Sequence, residues 1–153
     1  MTARANFKVQ PDCTIRDHPE IDVLIVPGGV HVRELEKPHI IAWIAWLATE
    51  TRLIASVCTG AFLLAKAGIL EGQVCTTHWE DIPELRRMFP SLEVREDLPW
   101  VDNGRVISSA GISAGIEMAL HLVTRLASKQ LALATARQMQ YQWSSADLSM
   151  EDR

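Results

Sequence analysis

The sequence predicts an α/β fold with a mostly parallel sheet that is covered by helices on both faces. Three observations indicate it: short β-branched runs alternate with helical stretches, glycine-containing turns close the first two runs, and 48% of the 153 residues are apolar. Alternating strands and helices favour parallel strands joined by right-handed crossovers. A chain of this length can bury one sizeable core, so we expect a single domain over residues 1–153.

The first half of the chain contains two strand and helix units. Ile21–Val26 is a β-branched run closed by Pro27-Gly28-Gly29, a pattern typical of a central strand that is buried on both faces. Pro38 then begins a helix, because apolar residues recur at helical spacing after it. Leu53–Val57 is the next predicted strand, and Gly60–Ala67 is rich in helix formers.

The second half is predicted to add a strand at Gln73–His78 and a short helix that starts with a capping box of Asp81 and Glu84. Asp102-Asn103-Gly104 favours a hairpin between two strands at the edge of the sheet. A second helical stretch covers Leu131 to about Gln140. Before it, five apolar residues mark one face of a long helix: Ile112, Ile116, Leu120, Val123 and Leu126.

The charge balance disfavours several classes of function. The net charge is -4 and no cluster of Lys and Arg stands out, so we expect no nucleic-acid partner and no anionic lipid surface. The first residues lack the apolar stretch of a signal peptide, and the other apolar runs are too short or too interrupted to span a bilayer. We therefore expect a cytoplasmic protein that acts on a small molecule.

The cysteines and histidines give no sign of a disulfide framework or a metal site. Cys13, Cys58 and Cys75 form neither an even set nor a Cys-x-x-Cys pair, so free thiols in a reducing compartment are expected. Four histidines have no acidic or cysteine neighbours at ligand spacing: His18, His31, His39 and His121. We expect no metal and no cofactor.

Cys58 is the predicted nucleophile. It stands between a predicted strand and a helix, with small residues two positions away on each side, Ser56 and Gly60, as a nucleophile elbow requires. The N-terminus of the following helix favours thiolate over thiol, and the Thr59 N–H is placed to stabilise an oxyanion, with a second donor from the backbone around Gly29 and Val30. The alternative is that Cys58 is a small buried core residue.

Two further segments are expected at the same edge of the sheet. His78 is predicted to end a strand there, where it would act as a base or orient a water molecule. The alternative for His78 is a histidine whose hydrogen bonds are satisfied near the sheet end. Ser108-Ser109-Ala110-Gly111 is predicted to line the pocket as a tight passage into a helix, and a simple strand-to-helix loop is an equal alternative.

Four motifs together resemble the ThiJ/PfpI superfamily of class I glutamine amidotransferase-like proteins, in order and in spacing: Val26-Pro27-Gly28-Gly29, Ser56-Val57-Cys58-Thr59-Gly60-Ala61, Thr76-Thr77-His78-Trp79 and Ser109–Ile116. Within it, the sequence from Ile21 onward looks most like isocyanide hydratase and the amidase-like domain of AraC-type regulators. The resemblance implies a flavodoxin-like three-layer sandwich and a homodimer. It also implies a reactive Cys58, an oxyanion site from Thr59 and the Gly28-Gly29 loop, and a pocket edge near Ile112.

The resemblance also implies a chemistry. In isocyanide hydratase the cysteine attacks the isocyanide carbon to give a thioimidate, which water converts to an N-substituted formamide. We therefore expect a cysteine-dependent hydratase or amidase-like hydrolase for a small carbon–nitrogen substrate, with Cys58 as its nucleophile. Two alternatives stay open: a non-enzymatic ligand-sensing or dimerisation module related to the regulators, and a redox or stress-response protein with an oxidisable cysteine.

The sequence differs from the family pattern in two places. Protease-like relatives have histidine directly after the cysteine, where this chain has Thr59. Family members begin with an additional strand and helix that carry an acidic residue facing the cysteine, whereas Met1 stands where their next strand is expected. We therefore expect an N-terminally short domain that lacks this acid.

Overall fold

The computed structural model describes residues 6–143. The interpretation of the chain after Trp143 as a polar tail lies outside these residues. The described part has six strands, six α-helices and a short 3-10 turn at Trp79–Asp81. The α-helices in chain order are α1 Val32–Leu35, α2 Pro38–Glu50, α3 Gly60–Lys66, α4 Ile82–Met88, α5 Ser113–Leu126 and α6 Lys129–Gln138.

Four strands form the main sheet, in the order β1, β2, β6, β5. β1 Val23–Val26, β2 Leu53–Val57 and β6 Val106–Ser109 run parallel, and β5 Trp100–Asp102 runs antiparallel to β6. The predicted hairpin therefore joins β5 to β6. Only β5 of the pair is an edge strand, because β6 lies between β2 and β5.

β1 lies at the edge of the sheet, so the expectation of a central strand buried on both faces is wrong. Only Val26 of β1 is buried, and Ile25 is 46% exposed. A run of β-branched residues indicates an extended backbone with many apolar side chains. It does not report how many neighbouring strands are present, and this is what separates an edge strand from a central one.

A second, two-stranded parallel sheet consists of β3 Val74–Cys75 and β4 Glu93–Val94. The predicted strand at 73–78 is therefore shorter than expected and ends three residues before His78. At Thr76 the chain contacts both sheets: its N–H donates to Ser108 Oγ of the main sheet, and its hydroxyl donates to the carbonyl of Arg95, which follows β4.

Two apolar clusters lie on opposite faces of the main sheet. Ile54 belongs to the first cluster with Ile44 of α2 and Phe62 of α3, whereas the preceding residue, Leu53, belongs to the second with Met118 of α5. Successive side chains of a strand point to opposite faces, so α2 and α3 cover one face and α5 covers the other. This is the three-layer α/β sandwich of the flavodoxin-like fold.

Two local predictions about the helices need correction. α4 begins at Ile82 with Asp81 as its N-cap, but no side chain caps it, and Glu84 pairs with Arg87 of the next turn instead. In α5 the side buried on the sheet differs from the predicted face, since Ile112 and Leu126 are exposed. The buried residues of α5 are Ala114, Met118, Leu120, His121 and Leu122.

Among the described residues, no helix combines the length and the apolar character that crossing a bilayer requires.

Candidate functional site

Cys58 lies in a strained turn between β2 and α3. Its φ is 55°, in the left-handed region that residues with a side chain rarely adopt. Two neighbouring segments hold this conformation: the Cys58 N–H donates to the Ser109 carbonyl at 3.0 Å, and the Thr77 hydroxyl donates to the Cys58 carbonyl at 2.8 Å. The thiol is half-buried. The elbow predicted from the sequence is therefore present, and hydrogen bonds to the N–H and the carbonyl of Cys58 stabilise its strained backbone conformation.

Two glycines let the backbone come close around Cys58. A Cβ on Gly60 would lie 2.2 Å from the Val26 carbonyl oxygen, so α3 can approach the end of β1 only because this position has no side chain. A Cβ on Gly28 would lie 2.7 Å from Cys58 Cβ and 3.2 Å from its Sγ. Gly28 therefore lies directly against the thiol.

Thr59 joins the elbow to the glycine loop. Its hydroxyl donates to the Gly29 carbonyl and accepts from the Gly29 N–H, both at 2.9 Å. The Gly29 N–H is thus already used. Within residues 6–143 neither the Thr59 N–H nor the Val30 N–H has a hydrogen-bond acceptor. Both are therefore backbone donors that an oxyanion could use, and the loop would contribute Val30 rather than Gly29.

His78 lies beside the elbow, directly after the Thr77 that bonds to Cys58. Its ring edge packs on Gly111, where a Cβ would lie 2.1 Å from His78 Cδ2. Its Nδ1 faces two carboxylates, at 3.7 Å from Glu80 Oε2 and 3.6 Å from Asp81 Oδ2. The imidazole side chain is 20% exposed, so it is open to solvent while its orientation is restricted.

The passage from β6 into α5 is a second strained segment. Ile112 caps the N-terminus of α5 with φ 51° and ψ -95°, and its side chain is 83% exposed. A β-branched residue in this region is strained, and such strain concentrates at functional sites. The segment is coupled to the elbow, because the carbonyl of Ser109 accepts the Cys58 N–H. Gly28, Gly29, Thr59, His78 and Gly111 are thus brought together around Cys58.

The structure also shows a buried polar cluster that the sequence did not suggest. His121 Nε2 lies 2.5 Å from Asp102 Oδ2, Arg125 bonds to both oxygens of Asp102, and the His121 ring stacks on Trp100 at 4.3 Å. Burial acts to raise the pKa of Asp102, but the hydrogen bonds from His121 and the Gly104 N–H and the charge of Arg125 outweigh it and lower the pKa.

This cluster lies away from the elbow. Asp102 pairs with Ile107 near the start of β6, whereas Cys58 bonds to Ser109 at its end. The cluster ties β5 to α5 and is structural. The prediction that His121 has no acidic neighbour at ligand spacing is wrong, because Glu117 lies four residues before it in α5 and Asp102 meets it through the fold. An aspartate in a hairpin turn and a histidine on a later helix have no sequence spacing that would reveal the pair.

The other cysteines have no comparable setting. Cys75 is fully buried, and burial together with the negative charge of Glu93 raises the pKa of its thiol to about 11. Cys13 is exposed. In the part of the chain that the structure covers, no group of three or more His, Cys, Asp or Glu side chains is arranged to hold a metal ion.

Comparisons with known proteins identify related chains. The model of the DJ-1/PfpI family matches residues 1–125. The HTH-type transcriptional regulator GbdR of Pseudomonas aeruginosa is 32% identical over 92% of this chain and 38% of the regulator. Isonitrile hydratase of Pseudomonas putida is 33% identical over 92% of this chain and 61% of the hydratase. The chain thus spans less than two thirds of the length of either relative.

Solved structures give the same fold. A THiJ/PfpI family protein from Pseudomonas syringae matches 94% of this chain and 59% of that protein, with a TM-score of 0.84 and 26% identity. DJ-1beta of Drosophila melanogaster matches 90% of this chain and 75% of that protein, with a TM-score of 0.75 and 23% identity. These matches confirm the flavodoxin-like fold class predicted from the sequence.

Proposed function

Since the chain belongs to the DJ-1/PfpI family, we propose that it is a cysteine-dependent hydratase of small carbon–nitrogen compounds, with an isocyanide as the substrate best supported. One observation carries the proposal. Cys58 is held with φ 55° in an elbow that two hydrogen bonds maintain, and Gly28 lies so close that a Cβ added to it would be 3.2 Å from the Cys58 Sγ. Identity of 33% to an isonitrile hydratase supports the choice of substrate.

The reaction follows from the chemistry of the thiolate. The Cys58 sulfur forms a bond to the terminal carbon of R–NC, and a proton is added to that carbon, which gives a thioimidate, R–N=CH–S. Water then adds to the same carbon, and the carbon–sulfur bond breaks to release the thiolate and R–NH–CHO. The sum is one isocyanide plus one water giving one N-substituted formamide, so neither an oxidant nor a metal is needed.

The backbone donors and His78 have separate roles in this scheme. The N–H groups of Thr59 and Val30 stabilise negative charge that develops on the substrate. His78 moves the protons, because its imidazole is the titratable side chain packed beside the elbow and its Nδ1 faces the carboxylates of Glu80 and Asp81. The two carboxylates lie near the ring without hydrogen-bonding to it, and the orientation of the ring is restricted by its packing on Gly111.

A second candidate function is a ligand-sensing module that binds the same class of compound without turnover. It is favoured by the match to GbdR, which covers 92% of this chain but only 38% of the regulator. In this case the elbow would bind a ligand and pass the signal to other parts of a longer protein or to a second copy in a homodimer. The same assay separates the two functions.

The test is turnover of an aromatic isocyanide, followed by the absorbance of the formamide. We expect formamide from the unchanged protein and from the control variant Cys13→Ala, which loses an exposed cysteine outside the site. Cys58→Ala is expected to form none above the uncatalysed rate. Equal turnover by Cys58→Ala, or no turnover by the unchanged protein at any pH, contradicts the hydratase. Stabilisation by the isocyanide or formamide without turnover supports the sensor.

A further inference from the structure

α5 has two apolar faces, and only one of them packs on the sheet. Ala114, Met118 and Leu122 are buried against the strands. A second apolar row, which includes Ile116 and Val123, turns away from the sheet. An ordinary surface helix is apolar on one side only. The second face of α5 lies on the side where α6 packs, and Ile116 and Val123 stay only half-buried there.

The second face forms one wall of a groove of about 320 Å³ between α5 and α6. Within residues 6–143, no charged side chain lines it. Its lining residues are Val57, Ile112, Gly115, Ile116, Ala119, Leu120, Val123, Thr135 and Met139. The one polar side chain among them, Thr135, donates its hydroxyl hydrogen to the Leu131 carbonyl of its own helix at 2.8 Å. The groove therefore presents an apolar surface with no unmet hydrogen bond.

The two walls are fixed relative to each other. Ala132 and Ala136 of α6 are buried, so the helix packs closely. At the far end of α6, the Tyr141 hydroxyl donates to Glu117 of α5 at 3.0 Å. A groove formed in advance loses little conformational entropy when a ligand binds, which favours affinity.

One end of the groove is lined by residues that adjoin the candidate site along the chain. Val57, in its lining, immediately precedes Cys58, and Ile112 is the strained residue at the start of α5. Gly115 faces this strand residue, and a Cβ added to it would be 3.0 Å from Val57 Cγ1. From Ile112 to Val123 the helix rises roughly 16 Å, so the lining of the groove extends along about three turns of α5.

We propose that this groove binds an elongated, uncharged apolar substituent of the ligand whose carbon–nitrogen group lies at Cys58. The ligand class is thus an N-alkyl or N-aryl compound with a long apolar group, rather than a small polar amide. A charged substituent is disfavoured because it would be desolvated with no partner. The proposal rests on the proposed function for the position of the reactive group, but binding in the groove needs no catalysis.

The test measures binding of N-alkylformamides, from N-methyl to N-octyl, to the unchanged protein by calorimetry. These compounds are the products of the proposed reaction, so no chemistry is required. The affinity is expected to rise about fourfold with each methylene, because each one leaves water for an apolar surface. Affinity that does not depend on chain length overturns the proposal.

A matched pair of variants locates the binding site. Ala119 is exposed and lines the groove, so Ala119→Phe fills it with little effect on the core. Ala42 is an exposed helical alanine on α2, on the opposite side of the sheet. We expect Ala119→Phe to reduce the affinity for N-octylformamide at least tenfold and to leave N-methylformamide unchanged, whereas Ala42→Phe alters neither. Thermal unfolding verifies that both variants fold.

Other outcomes separate this proposal from the proposed function. Binding that depends on chain length without turnover of any isocyanide supports the groove and contradicts the hydratase. Turnover at the same rate for short and long isocyanides supports the hydratase and overturns the groove. If Ala119→Phe changes the sedimentation coefficient and leaves N-octylformamide binding intact, the groove is a contact between copies of the chain and the proposal is overturned.

Discussion

Replacing Gly60 by alanine tests the close approach on which the elbow depends. A Cβ at this position lies 2.2 Å from the Val26 carbonyl oxygen, 3.0 Å from its carbon and 3.1 Å from the Pro27 carbonyl oxygen. All three atoms are backbone, so no side chain can rotate away. To bring the new Cβ to even 3.0 Å from the oxygen, α3 and the end of β1 must separate by about 0.8 Å.

The cost follows from the packing of α3. Six of its seven residues are buried, so a displacement of the helix disturbs a close-packed core. Overpacking of this kind costs about 3 kcal/mol of unfolding free energy. In a domain of this size each kcal/mol lowers the unfolding temperature by roughly 3 °C, so Gly60→Ala is expected to unfold roughly 9 °C below the unchanged protein.

Urea denaturation followed by circular dichroism gives the free energy, and alkylation by iodoacetamide gives the reactivity of Cys58. Gly115→Ala is the matched control. It is also a helical glycine, but its new Cβ meets a rotatable side chain, Val57, at 3.0 Å, and the gain in helix propensity compensates. We expect a change below about 1 kcal/mol there. Equal stability of the two variants would refute the described approach of α3 to β1.

Three further predictions concern single groups. Burial and the charge of Glu93 raise the pKa of Cys75 to about 11, so this thiol is expected to stay unlabelled by iodoacetamide at pH 8 until urea unfolds the protein. Peptide mass spectrometry detects the labelling. Labelling of Cys75 in the folded protein contradicts its burial. Thr59→Val removes both hydrogen bonds to Gly29 and is expected to cost about 2 kcal/mol in urea denaturation, with Thr59→Ser retaining most of the stability. The pKa of Asp102 is lowered in the folded state, so this carboxylate stabilises the fold above its unfolded pKa of about 3.9, and the contribution is lost as the pH falls through the folded value. Asp102→Asn is therefore expected to lower the free energy of unfolding by about 2 kcal/mol at pH 7. The difference in this free energy between the variant and the unchanged protein is expected to become smaller near pH 3. A difference that does not change with pH contradicts the role of the carboxylate.

Local sequence patterns predicted the parts of the fold in which neighbours along the chain determine the structure. The elbow is an example, because a strand, a small residue on each side of Cys58 and a helix start are all visible within six residues. The hairpin at Asp102-Asn103-Gly104 is another, since the turn requires a residue such as Gly104, whose φ is +83°.

Features that depend on distant parts of the chain were predicted less well. The edge position of β1 depends on which strands pair beside it, and the burial of α5 depends on which of its two apolar faces meets the sheet. Both faces give the same helical periodicity, so the sequence cannot rank them. The exchange of hydrogen bonds between Thr59 and Gly29 also joins residues 30 positions apart, and it changes which loop N–H remains free.

The most direct test of the central claim is to trap the covalent intermediate. The protein is mixed with an aromatic isocyanide, quenched in acid at short times and examined by intact and peptide mass spectrometry. We predict a transient addition of one isocyanide mass on the peptide that contains Cys58, which decays as the formamide accumulates. Formamide that accumulates while Cys58 stays unmodified, or an adduct confined to Cys13, would contradict the role of Cys58 as nucleophile.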